Sequence, residues 1–277
     1  MSGKIFSNEA SLGGVSWHSN LYGWGCDNID AYEVVLADGS VVTASKDSLP
    51  DLYKALQGGI ANFGIITTFL VKAYPYTGMW AGTKAFEHHY SAEATKAFVD
   101  ISSMSDSVEP KSFFILSLST TEEKSWALGS TLIYCHANVN PTCFQATDIM
   151  PALVDDCRVR HQTECVPQLQ AYYPSWMQYS AWTIATQVDL NTIRVCCTTW
   201  KEEMEPLLDE VEELVPVPRS SVHNGSSNEG AGRNGGNVIG LGGTQSFISQ
   251  RQCFYTLVNF AKPARPAILW IQLCLRF

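Results

Sequence analysis

The chain has 277 residues, a formal net charge of -9 from 18 Lys and Arg against 27 Asp and Glu, and 45% hydrophobic residues with 11% aromatic. That length and apolar content are enough for one large or two ordinary globular domains. The acidic balance, with no Lys/Arg cluster anywhere, excludes a nucleic-acid or anionic-membrane surface, because phosphate neutralisation needs clustered cations.

The N-terminal residues Met1 to Phe6 lack an apolar signal core, and no apolar run reaches the ~18 residues that span a bilayer, so a cytoplasmic protein is expected from the chain as written. The nine cysteines have no metal-ligand spacing; Cys196 and Cys197 are adjacent and the others scattered. They read as reduced structural thiols, and no metal site is expected. Between Tyr22 and Tyr74, turn, strand and helix signals alternate. Glu33 to Leu36 and Ser40 to Ala44 flank Asp38-Gly39, which predicts a β-hairpin with a type I′ turn. Ser48 is the expected N-cap of a short helix with Pro50 in its first turn, an apolar stripe at Leu52, Tyr53, Ala55 and Leu56, and a stop at Gly58-Gly59. Phe63 to Val71 is almost wholly apolar and predicts a buried central strand entered from a glycine turn.

These residues resemble the second half of the flavin-binding domain of the FAD-linked oxidases of the p-cresol methylhydroxylase/vanillyl-alcohol oxidase type, and among them the berberine-bridge-enzyme-like and 6-hydroxynicotine-oxidase-like branch. The likeness is carried by Gly13-Gly14, Tyr22-Gly23, Asp27-Asn28, the Glu33 to Gly39 strand and turn, Asp51-Leu52-Tyr53 with Ala55-Leu56, and Gly58-Gly59 followed by Asn62 to Thr67. It implies FAD as cofactor, with Gly13, Gly14, Tyr22, Gly23, Asp27, Asn28, Gly64, Ile65 and Ile66 as the residues that touch it. Asp27 has an equal reading as a carboxylate that stabilises its own turn, and the Gly58 to Gly64 turn one as simple strand entry. The chain departs from the family at Val15, where a third glycine is usual, at Gln57, where Arg is usual, and at Ile60, where a further glycine is usual. His18 follows the glycine pair and reads as a surface or turn histidine, not as a residue bonded to flavin.

After Pro75 the residues predict a helix over Ala92 to Met104, strands over Ser112 to Ser119 and Trp126 to His136 joined at Glu122-Glu123-Lys124, and a helix over Pro141 to Val154 with Asn140 as N-cap. Arg158 to Val166 and Arg194 to Thr199 read as strands, and Lys201 to Leu214 as an acidic amphipathic helix. Aromatics gather at Tyr172, Tyr173, Trp176, Tyr179 and Trp182, as in a pocket wall or a core. Ser220 to Gly236 reads as a flexible loop, Gly235 to Leu241 resembles a family strand, and Thr244 to Phe277 matches no family segment.

The expected fold is α+β: residues 1–78 as the second half of the flavin-binding domain, residues 79–243 as a substrate domain of mainly antiparallel sheet backed by helices, and residues 244–277 as a divergent tail. The resemblance implies a family member truncated at both ends. Its function is expected to be oxidation of a small organic or secondary-metabolite substrate, with hydride passing to FAD and O2 as acceptor; the sequence identifies no catalytic base. The alternatives are a catalytically inactive family member acting as a binding protein, since the loop that would cradle the FAD pyrophosphate is not seen, and a non-redox cyclase on a relic flavin pocket.

Overall fold

A computed structural model describes residues 14, 16–59, 62–104, 110–121, 123–171, 178–210, 214–222, 237–239 and 251–260. The first unit begins with helix α1 (Ser19–Tyr22) and a 3-10 turn (Gly25–Asn28), and continues as an antiparallel sheet of β1 (Ile29–Val35), β2 (Val41–Ser45) and β3 (Ile65–Val71) in the order β2-β1-β3. Helix α2 (Pro50–Leu56) covers one face. Its Tyr53 and Leu56 pack on Ile29, Tyr32, Val34 and Ala44, and the Tyr53 hydroxyl donates to the Ile29 carbonyl at 2.5 Å.

Three local expectations change here. The hairpin forms where Asp38-Gly39 predicted it, but with a three-residue loop in place of a type I′ turn: Gly39 N–H donates to Leu36 O at 3.0 Å and only Gly39, at φ 84°, is left-handed. Asp38 keeps φ < 0 because its carboxylate accepts from both the N–H and the hydroxyl of Ser40 (2.9 and 2.7 Å), which pins the loop in the bulged form. The cap of α2 is Leu49 at φ 52°, not Ser48, whose N–H is turned back to Ser45. The third change is larger: β3 is not a buried central strand but an edge, with Ile65 71% and Leu70 60% exposed. An apolar run is buried only when strands or helices cover both its sides, and among the described residues β3 has a strand neighbour on one side only.

The second unit is an eight-stranded antiparallel sheet. Strands β4 (Met79–Glu87), β5 (Ser112–Thr120), β6 (Trp126–Tyr134), β7 (Val154–Asp155), β9 (Gln178–Gln187), β10 (Val215–Val222) and β11 (Arg251–Phe260) take the order β7-β4-β6-β5-β10-β11-β9, and β8 (Arg158–Arg160) pairs with β4. Helix α3 (Ser91–Met104) forms as predicted. Ala94, Ala97, Phe98 and Ile101 recur at helical spacing and are all buried against Phe114, Leu116, Leu128 and Leu132 of the sheet. Helix α4 (Gln162–Ala171) packs on the opposite face, with Cys165 against Met79, Ala81, Phe113 and Ile133.

Further corrections follow chain order. Pro141 to Val154 holds, in place of a helix, a 3-10 turn, Thr142–Thr147, capped by Pro141, and ends at the start of β7; Asn140 is left-handed at φ 49°. The strand expected over Arg158 to Val166 stops at Arg160, because His161 N–H donates to Glu164 Oε1 at 2.8 Å and caps a helix from Gln162. Arg194 to Thr199 is helical, inside α5 (Leu190–Met204). Asp189 caps it by accepting from Thr192 N–H at 2.9 Å and from the Thr192 hydroxyl at 2.6 Å. The acidic helix therefore begins earlier than read and breaks at Pro206, before the short α6 (Leu207–Glu210), because proline removes a helical N–H. The loop expected from Ser220 starts later, since β10 runs to Val222, and residues 237–239 form a bend, not a strand. Tyr172, Tyr173 and Trp176, and the side chains of Tyr179 and Trp182, lie outside the described residues.

Candidate functional site

The residues expected to touch a cofactor fall into two groups at opposite ends of β1. The first is a knot built by local polar contacts. Ser16 and Ser19 cap one another's turn through Ser19 Oγ accepting from Ser16 N–H (2.8 Å), and Ser16 Oγ accepts from His18 N–H (2.9 Å). Helix α1 then closes on Gly23, whose N–H donates to Ser19 O at 2.9 Å with φ 85°. Gly25 N–H donates to Gly14 O at 2.8 Å, which brings the glycine pair's end against Tyr22-Gly23 and Asp27-Asn28. Gly13 lies outside the described residues.

Asn28 is the hub of the knot. Its amide donates to Tyr22 O (3.2 Å) and Trp24 O (2.8 Å), and its carbonyl accepts from the Tyr74 hydroxyl at 2.6 Å. The Tyr22 and Tyr74 rings stack with centroids 3.7 Å apart and planes 6° apart. Asp27 is 2% exposed; its carboxylate accepts from Trp24 N–H at 2.9 Å and from the Asn237 amide at 2.9 Å. Burial pushes its pKa up, and those hydrogen bonds pull it part of the way back. The side chains of Asp27 and Asn28 are thus taken up by protein partners.

The second group, Gly64, Ile65 and Ile66, begins β3 opposite Val35 and Val34, about 20 Å along β1 from Asn28. Gly64 sits at φ 144°, and a Cβ there would come within 2.6 Å of both Val34 Cγ1 and Val35 O, so the close strand packing itself demands glycine. The outward edge of β3 has no strand partner among the described residues, which leaves backbone groups for a ligand.

Contacts that no sequence signal marks join the knot to the large sheet. Asn20, buried, donates to Ser112 O at 3.0 Å, Cys135 Sγ donates to Trp17 O at 3.1 Å, and Trp17 packs by Met79, Phe113 and Ile133. His18 lies in a turn, as read, but half-buried, not at the surface. Its ring lies 6.1 Å from that of Tyr22 and 6.5 Å from that of Tyr76, and burial, opposed by a bond with Gln162, lowers its pKa, so it is neutral at pH 7. Beyond this junction the sheet face turned away from α3 and α5 carries Thr83, Ile115, Ser117, Thr131 and Arg219, all only partly buried. This face is bordered by the knot and could hold an organic substrate of mixed polarity.

A dinucleotide flavin fits this arrangement in part. The β3 edge and the knot's backbone could take its two ends, but neither Gly14 to Asn28 nor Gln57 to Ile66 contains a Lys or Arg to meet a pyrophosphate.

No family model matches the chain. Among curated proteins it is 29% identical over 243 residues to a FAD-dependent monooxygenase of Fusarium proliferatum, covering 83% of this chain and 46% of the relative. It is 31% identical over 188 residues to a FAD-dependent monooxygenase of Cercospora nicotianae (64% and 41%) and 44% identical over 88 residues to the bifunctional solanapyrone synthase of Alternaria solani (32% and 17%). The chain spans less than half the length of these relatives. Solved structures of the same fold include 6-hydroxy-D-nicotine oxidase from Arthrobacter nicotinovorans, with TM-score 0.66 at 19% identity over 92% of this chain and 55% of that one. Berberine bridge enzyme from Eschscholzia californica superposes with TM-score 0.62 at 14% identity, over 92% and 50%.

Proposed function

We propose that the chain, which is similar to FAD-dependent monooxygenases and shares the fold of 6-hydroxy-D-nicotine oxidase and berberine bridge enzyme, belongs to the FAD-linked oxidases of the berberine-bridge-enzyme-like branch and works as the flavin-facing and substrate-binding part of an oxidoreductase of small secondary metabolites. The observation that carries this reading is the clamp of Asn20 on Ser112 and Trp17 on Cys135, which holds the knot of cofactor candidates at the margin of the half-buried sheet face. Bound FAD would supply the hydride-accepting ring and the route of the electrons to O2.

The chain's own residues bind and orient. Gly14, Tyr22 and Gly23 offer backbone and an aromatic plane at one end of β1, and the edge backbone of Gly64 to Ile66 does so at the other. Asp27 and Asn28 act through the protein: they hold the turn and the Tyr22–Tyr74 stack in place. His18, half-buried beside Tyr22 and Tyr76 at the junction, is the imidazole we assign as proton acceptor, and the substrate is assigned to the face that carries Thr83, Ser117 and Thr131. Those hydroxyls orient the substrate, and Ile115 excludes water.

The test is a visible spectrum of the purified protein after incubation with excess FAD and desalting. Retained flavin absorption, lost in Tyr22→Ala, supports the reading. A colourless, folded protein overturns it for this chain and favours the second reading, a binding protein without flavin. The observation on that side is the internal use of Asp27, Asn28 and Gly64 by the protein's own packing.

A further inference from the structure

On the other side of the large sheet, between α3 and α5, the structure contains a cavity of about 280 Å3, near the lower end of the ~300–1,000 Å3 typical of small-molecule sites. Its floor is apolar, formed by Leu116, Leu118 and Leu128. One wall is α5, where Arg194, Cys197, Thr198 and Lys201 recur at i, i+3, i+4 and i+7 and so share one face; Ile193, Trp200 and Met204 of the same helix are buried. The opposite wall is the first turns of α3, Ser91 and Thr95.

The β10–β5 ladder extends over Arg219, Ser220 and Ser221, and Pro218, which lines the cavity, stands at its end with no N–H to continue it.

The charges of the lining are unequal. Lys201 is shared with Glu205 at 2.9 and 3.0 Å and lies 5.6 Å from the Trp126 ring centroid. Arg194 forms no ion pair among the described residues, and its bond to Asn191 Oδ1 is long at 3.4 Å. The single carboxylate of the lining is Glu202, and His88 at the rim is kept neutral at pH 7 by burial and by the charge of Lys201. A guanidinium without an ion pair among the described residues, in one lining with three leucines, matches a ligand with an apolar body and one carboxylate, which a planar fork binds bidentately.

We propose that this cavity is a second small-molecule site that takes a monocarboxylate of benzoate or hexanoate size, with its body on Leu116, Leu118 and Leu128 and its carboxylate on Arg194. It lies across the sheet from the flavin-side face and is independent of any flavin bound there.

The test is calorimetric titration of the full chain with benzoate, hexanoate, hexan-1-ol and hexylamine. Saturable binding of the carboxylates at about 1 mM or tighter is expected, with hexan-1-ol at least tenfold weaker and hexylamine silent. Arg194→Gln should weaken hexanoate by about tenfold or more, Glu202→Gln should tighten it by about two- to fivefold, and Thr198→Trp, which fills the mouth from an exposed position, should abolish it. All three variants should keep the parent's thermal midpoint, and Thr198→Trp serves alone if Arg194→Gln does not fold. No saturation below about 10 mM, equal binding of hexan-1-ol, or unchanged affinity in Thr198→Trp overturns the proposal.

Discussion

The Asn237 amide donates to Asp27 Oδ1 at 2.9 Å across 210 positions of sequence, and Val238 N–H donates to Gln57 O at 3.0 Å beside it. A bend remote in the chain therefore closes the knot that carries the cofactor candidates. Asn237→Ala leaves a buried carboxylate short of a donor and is expected to cost about 1–3 kcal/mol, measured as a lower midpoint in urea unfolding.

The same carboxylate sets a pH dependence. The folded pKa of Asp27 is raised above its unfolded value, chiefly by burial, so the folded state holds the proton more tightly. Its contribution to stability is fully present below the unfolded carboxylate pKa and is lost as pH rises through the folded one. Unfolding free energies measured from acid towards neutral pH should carry this declining component in the parent chain and lack it in Asp27→Asn.

Gly64→Ala places a Cβ 2.6 Å from Val35 O at a φ of 144°. The strain and overpacking should cost about 2 kcal/mol or more, read as a drop in thermal midpoint. Gly39→Ala, at φ 84° with open space around it, should cost only about 1 kcal/mol, so the difference between the two isolates the steric part.

Phe98 is fully buried on α3, with its ring edge-on to Phe114 at 5.3 Å and 67°. Phe98→Ala should cost about 3–5 kcal/mol through the cavity left in the large core. Denaturant unfolding followed by tryptophan fluorescence measures it, and a loss below about 1 kcal/mol would show that the core collapses around the gap.

Burial pushes the thiols of Cys135, Cys157 and Cys197 up to about 12. At pH 8 they are almost entirely protonated, and since the thiolate is the nucleophile, alkylation of the folded chain should be slow at these three sites. Peptide mapping after iodoacetamide, with and without urea, checks this: urea should raise labelling at each site at least tenfold, and fast labelling of Cys135 in the folded chain would place it outside the core.

Much of the local architecture was legible in the residues. The hairpin is marked by Asp38-Gly39, and α3 by the spacing of Ala94, Ala97, Phe98 and Ile101, because a turn dipeptide and a one-sided stripe work at short range. The helical state of Arg194 to Thr199 was not legible, since Val195 and the cysteine pair suit a strand equally well. Asp189's cap and the burial of Ile193 and Trp200 on the sheet decide it, in line with the dominance of packing over propensity.

The candidate site divides in the same way. By itself the sequence carried a resemblance to a flavin-binding fold, in Gly13-Gly14, Tyr22-Gly23, Asp27-Asn28 and the Gly64 turn, because such motifs are short-range patterns that can be read without knowing which segments meet. Only the tertiary structure decided what those residues touch: β3 lies at an edge because nothing pairs with its outer side among the described residues, Asp27 answers to Asn237, and Asn20 and Trp17 fasten the knot to the large sheet. Exposure and long-range hydrogen bonds depend on which segments meet in space, and that is a property of the whole packed chain.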